Sequence, residues 1–263
     1  MTNILAVANQ KGGVGKTTTT INLAASLARM QKRVLLIDLD PQGNATMGSG
    51  VNKHEVTLST YDVLTGECTA EQALVNAGEA GYEVMPANSD LTAAEVELLD
   101  HPSREQCLKN ALAEIESRFD YILIDCPPSL NMLTLNALVA ARGVLIPMQC
   151  EYFALEGLSA LSNTIEAVAG SVNPQLKSEG IIRTMFDPRN KLTLEVSDQL
   201  KEFFGSLVYR TVIPRNVRLA EAPSYGLPVI AYDKTSTGAQ AYLALAGELL
   251  RRQSEQGAAP YVS

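Results

Sequence analysis

The chain has 263 residues, of which 46% are hydrophobic, and a formal net charge of −8. Its length and apolar content suffice for one large folded core, and its acidic balance argues against indiscriminate binding of nucleic acid. The four cysteines stand far apart without a C-x-x-C pair, which excludes the common disulfide frameworks and cysteine metal motifs.

Taken in chain order, short apolar runs alternate with longer helix-like segments. The predicted strands are Asn3–Ala8, Arg33–Leu39, Tyr82–Met85, Tyr121–Asp125, Gly143–Met148, Gly180–Met185, Val208–Ile213 and Pro228–Ala231. The predicted helices are Lys16–Met30, Ala70–Ala77, Leu91–Asp100, Arg104–Arg118, Ser129–Ala141, Leu155–Ala169, Thr193–Phe204 and Gly238–Gln253. The alternation predicts an α/β fold with a doubly wound, mostly parallel sheet flanked by helices. We expect a single domain over residues 1–254 and a flexible tail over residues 255–263.

A glycine-rich segment lies between the first predicted strand and the first predicted helix. It reads Gln-Lys-Gly-Gly-Val-Gly-Lys-Thr-Thr from Gln10 to Thr18. Strand, glycine-rich turn and helix is the geometry that presents backbone N–H groups to a phosphate. In such a phosphate loop Lys16 reaches the β- and γ-phosphates and the Thr17 hydroxyl binds Mg²⁺. The usual pattern has glycine at the position of Gln10, and this chain offers a second lysine, Lys11, at the mouth of the loop.

Aspartates follow two further predicted strands. Because ligands bind at the carboxyl ends of parallel strands, these aspartates are expected beside the phosphate loop. Asp125 ends an apolar strand, as in a Walker-B motif, and would hold Mg²⁺ directly or through a water; the alternative is an aspartate that caps the next loop. We expect Asp40 to orient the attacking water. We expect Asp38 to lie just outside the groups that contact Lys16 or Mg²⁺ and to help position them. The alternative for both is capping of the turn that follows.

These segments together resemble the deviant-Walker ATPases of the ParA, Soj and MinD group. The resemblance rests on Lys11–Thr18, Asp38–Asn44 and Asp125–Ser129. Two further segments resemble specifically the ParA/Soj partitioning branch, namely Gln149–Gly157 and Ile213–Pro223. The similarity extends from residue 3 to residue 252, nearly the whole chain.

The resemblance implies an enzyme that binds ATP and Mg²⁺ and hydrolyses ATP slowly. It implies a homodimer that forms face to face around ATP, in which Lys11 reaches the phosphates bound by the other subunit. Lys11, Lys16 and Asp40 are the implied catalytic residues. The implied nucleotide-binding residues are Lys11, Gly12, Gly13, Val14, Gly15, Lys16, Thr17 and Thr18, with Met185, Pro214, Arg215 and Asn216 near the base.

The resemblance also implies that the ATP-bound dimer binds double-stranded DNA without sequence preference. Arg189 and Arg218 stand at the family's DNA-binding positions; Lys191, Arg183 and Arg215 are weaker candidates. Residues 1–179 carry a net charge of −10 and residues 180–263 one of +2, so the last third could carry a local basic surface. The alternatives are a scatter of solvated charges and arginines that make surface ion pairs.

The ParA/Soj branch implies chromosome or plasmid partitioning, a ParB-like protein that stimulates hydrolysis, and a cytoplasmic protein associated with the nucleoid. The phosphate loop begins within ten residues of the start, so we expect no signal peptide and no helix-turn-helix module before it.

Two other classes are weighed against this interpretation. A membrane-bound switch of the MinD kind needs an amphipathic helix at its end, and Leu249–Pro260 has little apolar face, so no membrane partner is expected. A metal-cluster carrier needs paired cysteines, whereas Cys126 is expected to pack in the core.

Overall fold

The computed structural model of the protein describes residues 2–258. Within this range the strands are β1 (Asn3–Val7), β2 (Val34–Asp38), β3 (Val75–Asn76), β4 (Glu83–Met85), β5 (Tyr121–Asp125), β6 (Gly143–Gln149), β7 (Lys177–Phe186) and β8 (Val208–Pro214). They form one sheet in the order β3-β4-β2-β5-β1-β6-β7-β8. Every neighbouring pair is parallel except β3 and β4, which are antiparallel. This topology confirms the predicted α/β fold with a mostly parallel sheet.

Helices cover both faces of the sheet. Within the same range they are α1 (Lys16–Arg29), α2 (Asn44–Gly48), α3 (Thr60–Thr65), α4 (Leu91–Glu97), α5 (Cys107–Leu112), α6 (Met132–Ala140), α7 (Ala154–Ser171), α8 (Lys191–Phe204), α9 (Val217–Glu221), α10 (Val229–Tyr232) and α11 (Thr237–Ala258). Helices α1 and α11 pack against each other on one face. No helix among the described residues is long and apolar enough to cross a membrane.

Adjacent residues of β1 face opposite apolar cores. Ile4 and Ala6 pack with side chains of α6 and α7 on one face, whereas Leu5 and Val7 pack with side chains of α1 and α11 on the other. A strand sends successive side chains to opposite faces, so two covered faces require a continuous apolar run. This double burial fixes the central strands, and their carboxyl ends share the edge at which such sheets bind ligands.

The helix predicted over Ala70–Ala77 is wrong. Val75–Asn76 form β3 instead, which pairs antiparallel with β4. Gly78 and Gly81 adopt φ values of +55° and +79° in the connecting turn. This left-handed conformation favours glycine and lets the chain reverse tightly, so the segment joins the sheet edge rather than a helix.

The strand predicted over Pro228–Ala231 is also wrong, because these residues lead into α10. Pro228 immediately precedes the helix, where its missing N–H is not needed. The backbone N–H of Val229 donates to Asn22 Oδ1 at 2.7 Å, which satisfies a donor that the helix leaves open.

Two predicted helix boundaries also differ from the structure. The segment predicted as one helix over Arg104–Arg118 contains only the short α5 and a 3₁₀ turn at Glu116–Arg118. Helix α11 continues to Ala258, which lies inside the segment 255–263 predicted as a tail. Residues 259–263 of that segment lie outside the described residues.

Candidate functional site

The glycine-rich loop between β1 and α1 encloses the amino group of Lys16. Gly13 and Gly15 adopt φ values of +73° and +87°, which only glycine takes without strain. Lys16 is 7% exposed, and its Nζ donates to the carbonyl of Lys11 at 3.2 Å. Burial lowers the pKa of Lys16. A buried ammonium beside the start of a helix is an arrangement that favours a bound phosphate.

Asp125 ends β5 beside the first turn of α1. Its Oδ2 accepts a hydrogen bond from the Thr17 hydroxyl at 2.8 Å, and its Oδ1 accepts one from Thr20 at 2.9 Å. Asp125 is fully buried, and burial, followed by the charge of Asp38, raises its pKa. A carboxylate and a hydroxyl are the hard oxygen ligands that Mg²⁺ prefers, so this donor set fits that ion.

Asp38 and Asp40 both hold the turn that follows β2. Asp38 lies opposite Asp125 in the register of the two strands and is fully buried. Its Oδ2 accepts hydrogen bonds from the backbone N–H and the hydroxyl of Thr46, both at 2.8 Å, and its Oδ1 accepts one from the backbone N–H of Asp40 at 3.1 Å. Burial raises the pKa of Asp38.

Asp40 is half-buried, and its Oδ1 accepts the backbone N–H of Gln42 at 3.0 Å. The hydrogen bonds of Asp38 and Asp40 therefore match the alternative, in which both side chains cap the turn after β2. This capping leaves the second carboxylate oxygen of Asp40 available to another partner, since the described residues give it no hydrogen bond.

A cavity of about 390 Å³ opens beside the glycine-rich loop. Its lining includes four residues predicted near the base, together with loop and helix residues. The four residues predicted near the base are Met185, Pro214, Arg215 and Asn216. The loop and helix residues, with the end of β7, include Gly15, Thr18, Tyr242 and Thr184. The Thr184 hydroxyl donates to the Val14 carbonyl at 2.7 Å, which ties the end of β7 to the loop. The structure thus brings the predicted base pocket and the predicted phosphate loop together.

Lys11 does not line this cavity and is exposed at the surface of the loop. Its ammonium forms an ion pair with Glu151, just after β6, and the two side chains are 52% and 47% exposed. The neighbouring Tyr152 and Phe153 are also exposed, and their rings meet edge to face with centroids 5.0 Å apart. Lys16 and Lys11 therefore differ in environment, one inside the loop and one on the surface beside it.

The two arginines predicted to bind DNA are both ion-paired. Arg189 Nη2 lies 2.8 Å from Asp187 Oδ2, and Arg218 Nη1 lies 2.7 Å from Glu221 Oε2. Arg189 lies on the loop between β7 and α8, whereas Arg218 lies in the short helix α9, between the cavity-lining residues Val217 and Leu219. Arg183, a weaker candidate, is buried and bonded to the Ser197 hydroxyl, so it has a structural role.

Residues 2–178 match a protein-family model described as an AAA domain. The chromosome partitioning protein ParA of Caulobacter vibrioides is 50% identical over 97% of this chain and 96% of its own length. The sporulation initiation inhibitor protein Soj of Bacillus subtilis is 51% identical over 95% of this chain and 98% of its own length. The chain belongs to the ParA/Soj family of chromosome-partitioning ATPases. It is accordingly an enzyme that hydrolyses ATP, as the resemblance predicts.

Solved structures share this ParA/Soj fold. One is cobyrinic acid a,c-diamide synthase from Mycobacterium smegmatis with bound ADP and magnesium, which is 40% identical. It aligns with a TM-score of 0.85 and covers 97% of each chain. The comparison confirms the P-loop architecture predicted for the ParA/Soj chain.

Several residues that complete the site of this ParA/Soj chain were not predicted. Thr20 is the second hydroxyl on Asp125, and its spacing of three residues from Thr17 on one helix could have indicated it. Thr46 holds Asp38, and nothing in the sequence marks it. Glu151 lies inside a family motif, but its contact with Lys11 joins residues 140 positions apart. Such a contact has no signal in a single sequence.

Proposed function

We propose that this chain is an ATP-dependent dimerising switch that binds DNA without sequence preference and drives partitioning of a chromosome or a plasmid. The observation that carries the proposal is the division between two lysines. Lys16 is enclosed by the loop, whereas Lys11 is exposed beside it. One ammonium is therefore placed for phosphates bound in its own subunit, and the other is accessible to those of a second subunit.

ATP and Mg²⁺ are the proposed ligands. The backbone of Gly12–Thr18 would hold the phosphates, and the lining of the 390 Å³ cavity would hold the base. Thr17 would hold Mg²⁺ together with Asp125, directly or through a water. Bound Mg²⁺ supplies positive charge that offsets the charge of the phosphate oxygens. ADP and magnesium in the relative from Mycobacterium smegmatis support this assignment.

Hydrolysis transfers the terminal phosphoryl group of ATP to water and releases ADP. In the proposed site Asp40 orients the water through its available carboxylate oxygen, and Asp38 maintains the turn that positions Asp40. Lys11 from the second subunit would stabilise the charge that develops on the transferred group. Turnover in a single subunit would be slow, because that cation is absent from its own site.

DNA binding is assigned to Arg189 and Arg218. Arg189 has an exposed guanidinium on the loop after β7, and Arg218 has one in α9, which also lines the cavity. A dimer would therefore present two copies of a weak basic surface. A ParB-like protein is the proposed stimulator of hydrolysis, and the proposed location is the cytoplasm, on the nucleoid. We assign these activities to one domain over residues 1–254.

The test is DNA binding to two duplexes of unrelated sequence, with Mg-ATP and with Mg-ADP. The ATP state should bind both duplexes alike, with a steep dependence on salt. Arg218→Glu should weaken binding to both about tenfold, because it replaces a phosphate contact with a repulsive charge. Lys109→Glu, an equal charge change at an exposed lysine of α5, is the control. Equal binding in ATP and ADP, or a loss with only one duplex, would contradict the proposal.

A further inference from the structure

A neighbour in its own loop engages two of the three nitrogens of the Arg189 guanidinium. Its Nε and Nη2 donate to the two oxygens of Asp187 at 2.9 and 2.8 Å, and its backbone N–H donates to Asp187 Oδ1 at 3.0 Å. The side chain is 89% exposed, so the carboxylate rather than packing fixes its position. Asp187 therefore occupies one of the guanidinium edges that suit a bidentate phosphate, the edge formed by Nε and Nη2.

Arg218 is held in a similar way by two carboxylates. Its Nη1 donates to Glu221 Oε2 at 2.7 Å, and its Nε lies 3.5 Å from Asp233 Oδ2. The Tyr232 hydroxyl also donates to Glu221 Oε2, at 3.3 Å, and its ring stacks on Tyr225 with centroids 4.9 Å apart. The Tyr232 hydroxyl thus adds a second hydrogen bond to the carboxylate oxygen that pairs with Arg218.

From these contacts, and resting on the proposed DNA-binding function, we infer that Asp187 and Glu221 set the DNA affinity of the protein. Each carboxylate competes with a DNA phosphate for the guanidinium beside it. A phosphate that binds the occupied edge must displace the carboxylate, and one that binds the free nitrogen lies beside the negative charge of that carboxylate. The pairs limit binding by a single subunit, so that stable binding depends on two copies of the surface acting together.

The competition persists at neutral pH. Hydrogen bonds from Arg189, with a contribution from the charge of Arg215, hold the pKa of Asp187 at about 2. The carboxylate is therefore ionised throughout the physiological range, and protonation does not release Arg189. Arg215 itself is exposed and has no hydrogen bond or ion pair among the described residues.

A matched ion pair at another place provides the control. Arg33 donates its backbone N–H to Asp120 Oδ2 at 2.8 Å and its Nη2 to Asp120 Oδ1 at 3.0 Å, which repeats the pattern of Arg189 and Asp187. It lies before β2, at the amino end of the strand, whereas Arg189 follows the carboxyl end of β7. Asp120→Asn thus changes the net charge by the same amount and breaks an equivalent pair far from the predicted DNA surface.

The experiment measures the dissociation constant for a labelled duplex in Mg-ATP by fluorescence anisotropy. The variants are Asp187→Asn, Glu221→Gln, Asp120→Asn, Arg189→Ala and Arg218→Ala. Each amide keeps an acceptor oxygen for the local hydrogen bonds. Neutralising Asp187 or Glu221 should lower the dissociation constant about two- to fivefold, the range that an exposed ion pair can account for. Asp120→Asn should leave the dissociation constant within about 1.5-fold of the wild type. The charge of Asp120, at the other end of the strands, lies farther than a Debye length from the predicted DNA surface.

The outcomes separate this inference from the proposed function. If the alanine variants lose DNA binding but neither amide variant gains any, the surface binds DNA and the role of the carboxylates is wrong. If Asp120→Asn gains as much as Asp187→Asn, the effect is one of net charge and the inference is also wrong. If the alanine variants bind DNA like the wild type, both the inference and the proposed DNA surface fail.

Discussion

At the scale of single residues, we expect the enclosed Lys16 and the exposed Lys11 to have separable roles in nucleotide binding. Lys16→Ala removes the ammonium inside the loop, so ATP affinity should fall at least about 100-fold, equivalent to about 2.7 kcal/mol. Isothermal titration calorimetry with Mg-ATP measures the loss. Lys11→Ala is the matched control, since it should retain binding within a single subunit. If Lys16→Ala leaves the ATP affinity unchanged, the nucleotide does not bind at this loop.

Glu151 forms an ion pair with Lys11 in the same subunit, and we expect it to compete with the ATP phosphates of a second subunit. Glu151→Gln removes the ion pair and frees Lys11, so the ATP concentration that half-saturates dimerisation should fall about two- to fivefold. Glu156→Gln, at an exposed position in the first turn of α7, makes the same change in charge and serves as control. Analytical ultracentrifugation over an ATP titration measures the shift. Weaker dimerisation in Glu151→Gln would show that Glu151 supports the dimer instead of opposing it.

Asp40 is expected to act in hydrolysis through its charge. Asp40→Ala should lower kcat at least about 100-fold, a typical loss for a residue that positions or activates a water. Asp40→Asn separates charge from structure, because the amide still accepts the Gln42 N–H that caps the turn. A phosphate-release assay should find both variants inactive. If Asp40→Asn hydrolyses ATP normally, Asp40 only caps the turn and does not act in hydrolysis.

At the scale of elements, the end of β7 supports the phosphate loop through one buried hydrogen bond. Thr184→Val keeps the shape of the side chain but leaves the Val14 carbonyl without its donor. The cost is about 1 kcal/mol, so the dissociation constant for ATP should rise about fivefold if the loop loses its order. Thr164→Val removes a hydroxyl of the same type from the exposed side of α7 and should have no effect. An unchanged ATP affinity in Thr184→Val would show that β7 does not position the loop.

The elements that could be predicted from the sequence are those with a strong local cause. Strand β1 and the loop after it were predictable, since an apolar run buried on both faces and left-handed glycines leave few alternatives. The segment at Ala70–Ala77 was not, because its helix-like composition is overridden by the turn at Gly78 and Gly81 and by pairing with β4. Tertiary pairing of this kind has no signature in local propensity.

In the candidate site, too, local motifs could be predicted from the sequence, whereas contacts between distant segments could not. Lys16, Thr17 and Asp125 belong to local motifs, and the structure brings them together. The contact between Lys11 and Glu151 depends on how strands β1 and β6 lie side by side, and their pairing sets it rather than either segment alone. The same holds for Thr46, whose hydrogen bonds to Asp38 depend on the path of the turn after β2.

At the scale of the whole molecule, charge and architecture both favour DNA binding by a dimer over binding by a single subunit. The protein is acidic overall, with a net charge of −8, and the arginines expected to bind DNA are paired with carboxylates. We therefore expect a single subunit to bind a polyanion weakly. Doubling the surface in a dimer would make DNA binding depend on the nucleotide, since the phosphates would join the two subunits through Lys11.

The most direct test of this account is the molecular mass of Asp40→Ala in solution, measured by light scattering coupled to gel filtration. This variant should bind ATP without consuming it. With saturating Mg-ATP the account predicts a species of twice the monomer mass, and with Mg-ADP a monomer. Adding Lys11→Ala to the same variant should restore the monomer in ATP. A single subunit in both nucleotides would contradict the central claim that ATP joins two copies of this chain.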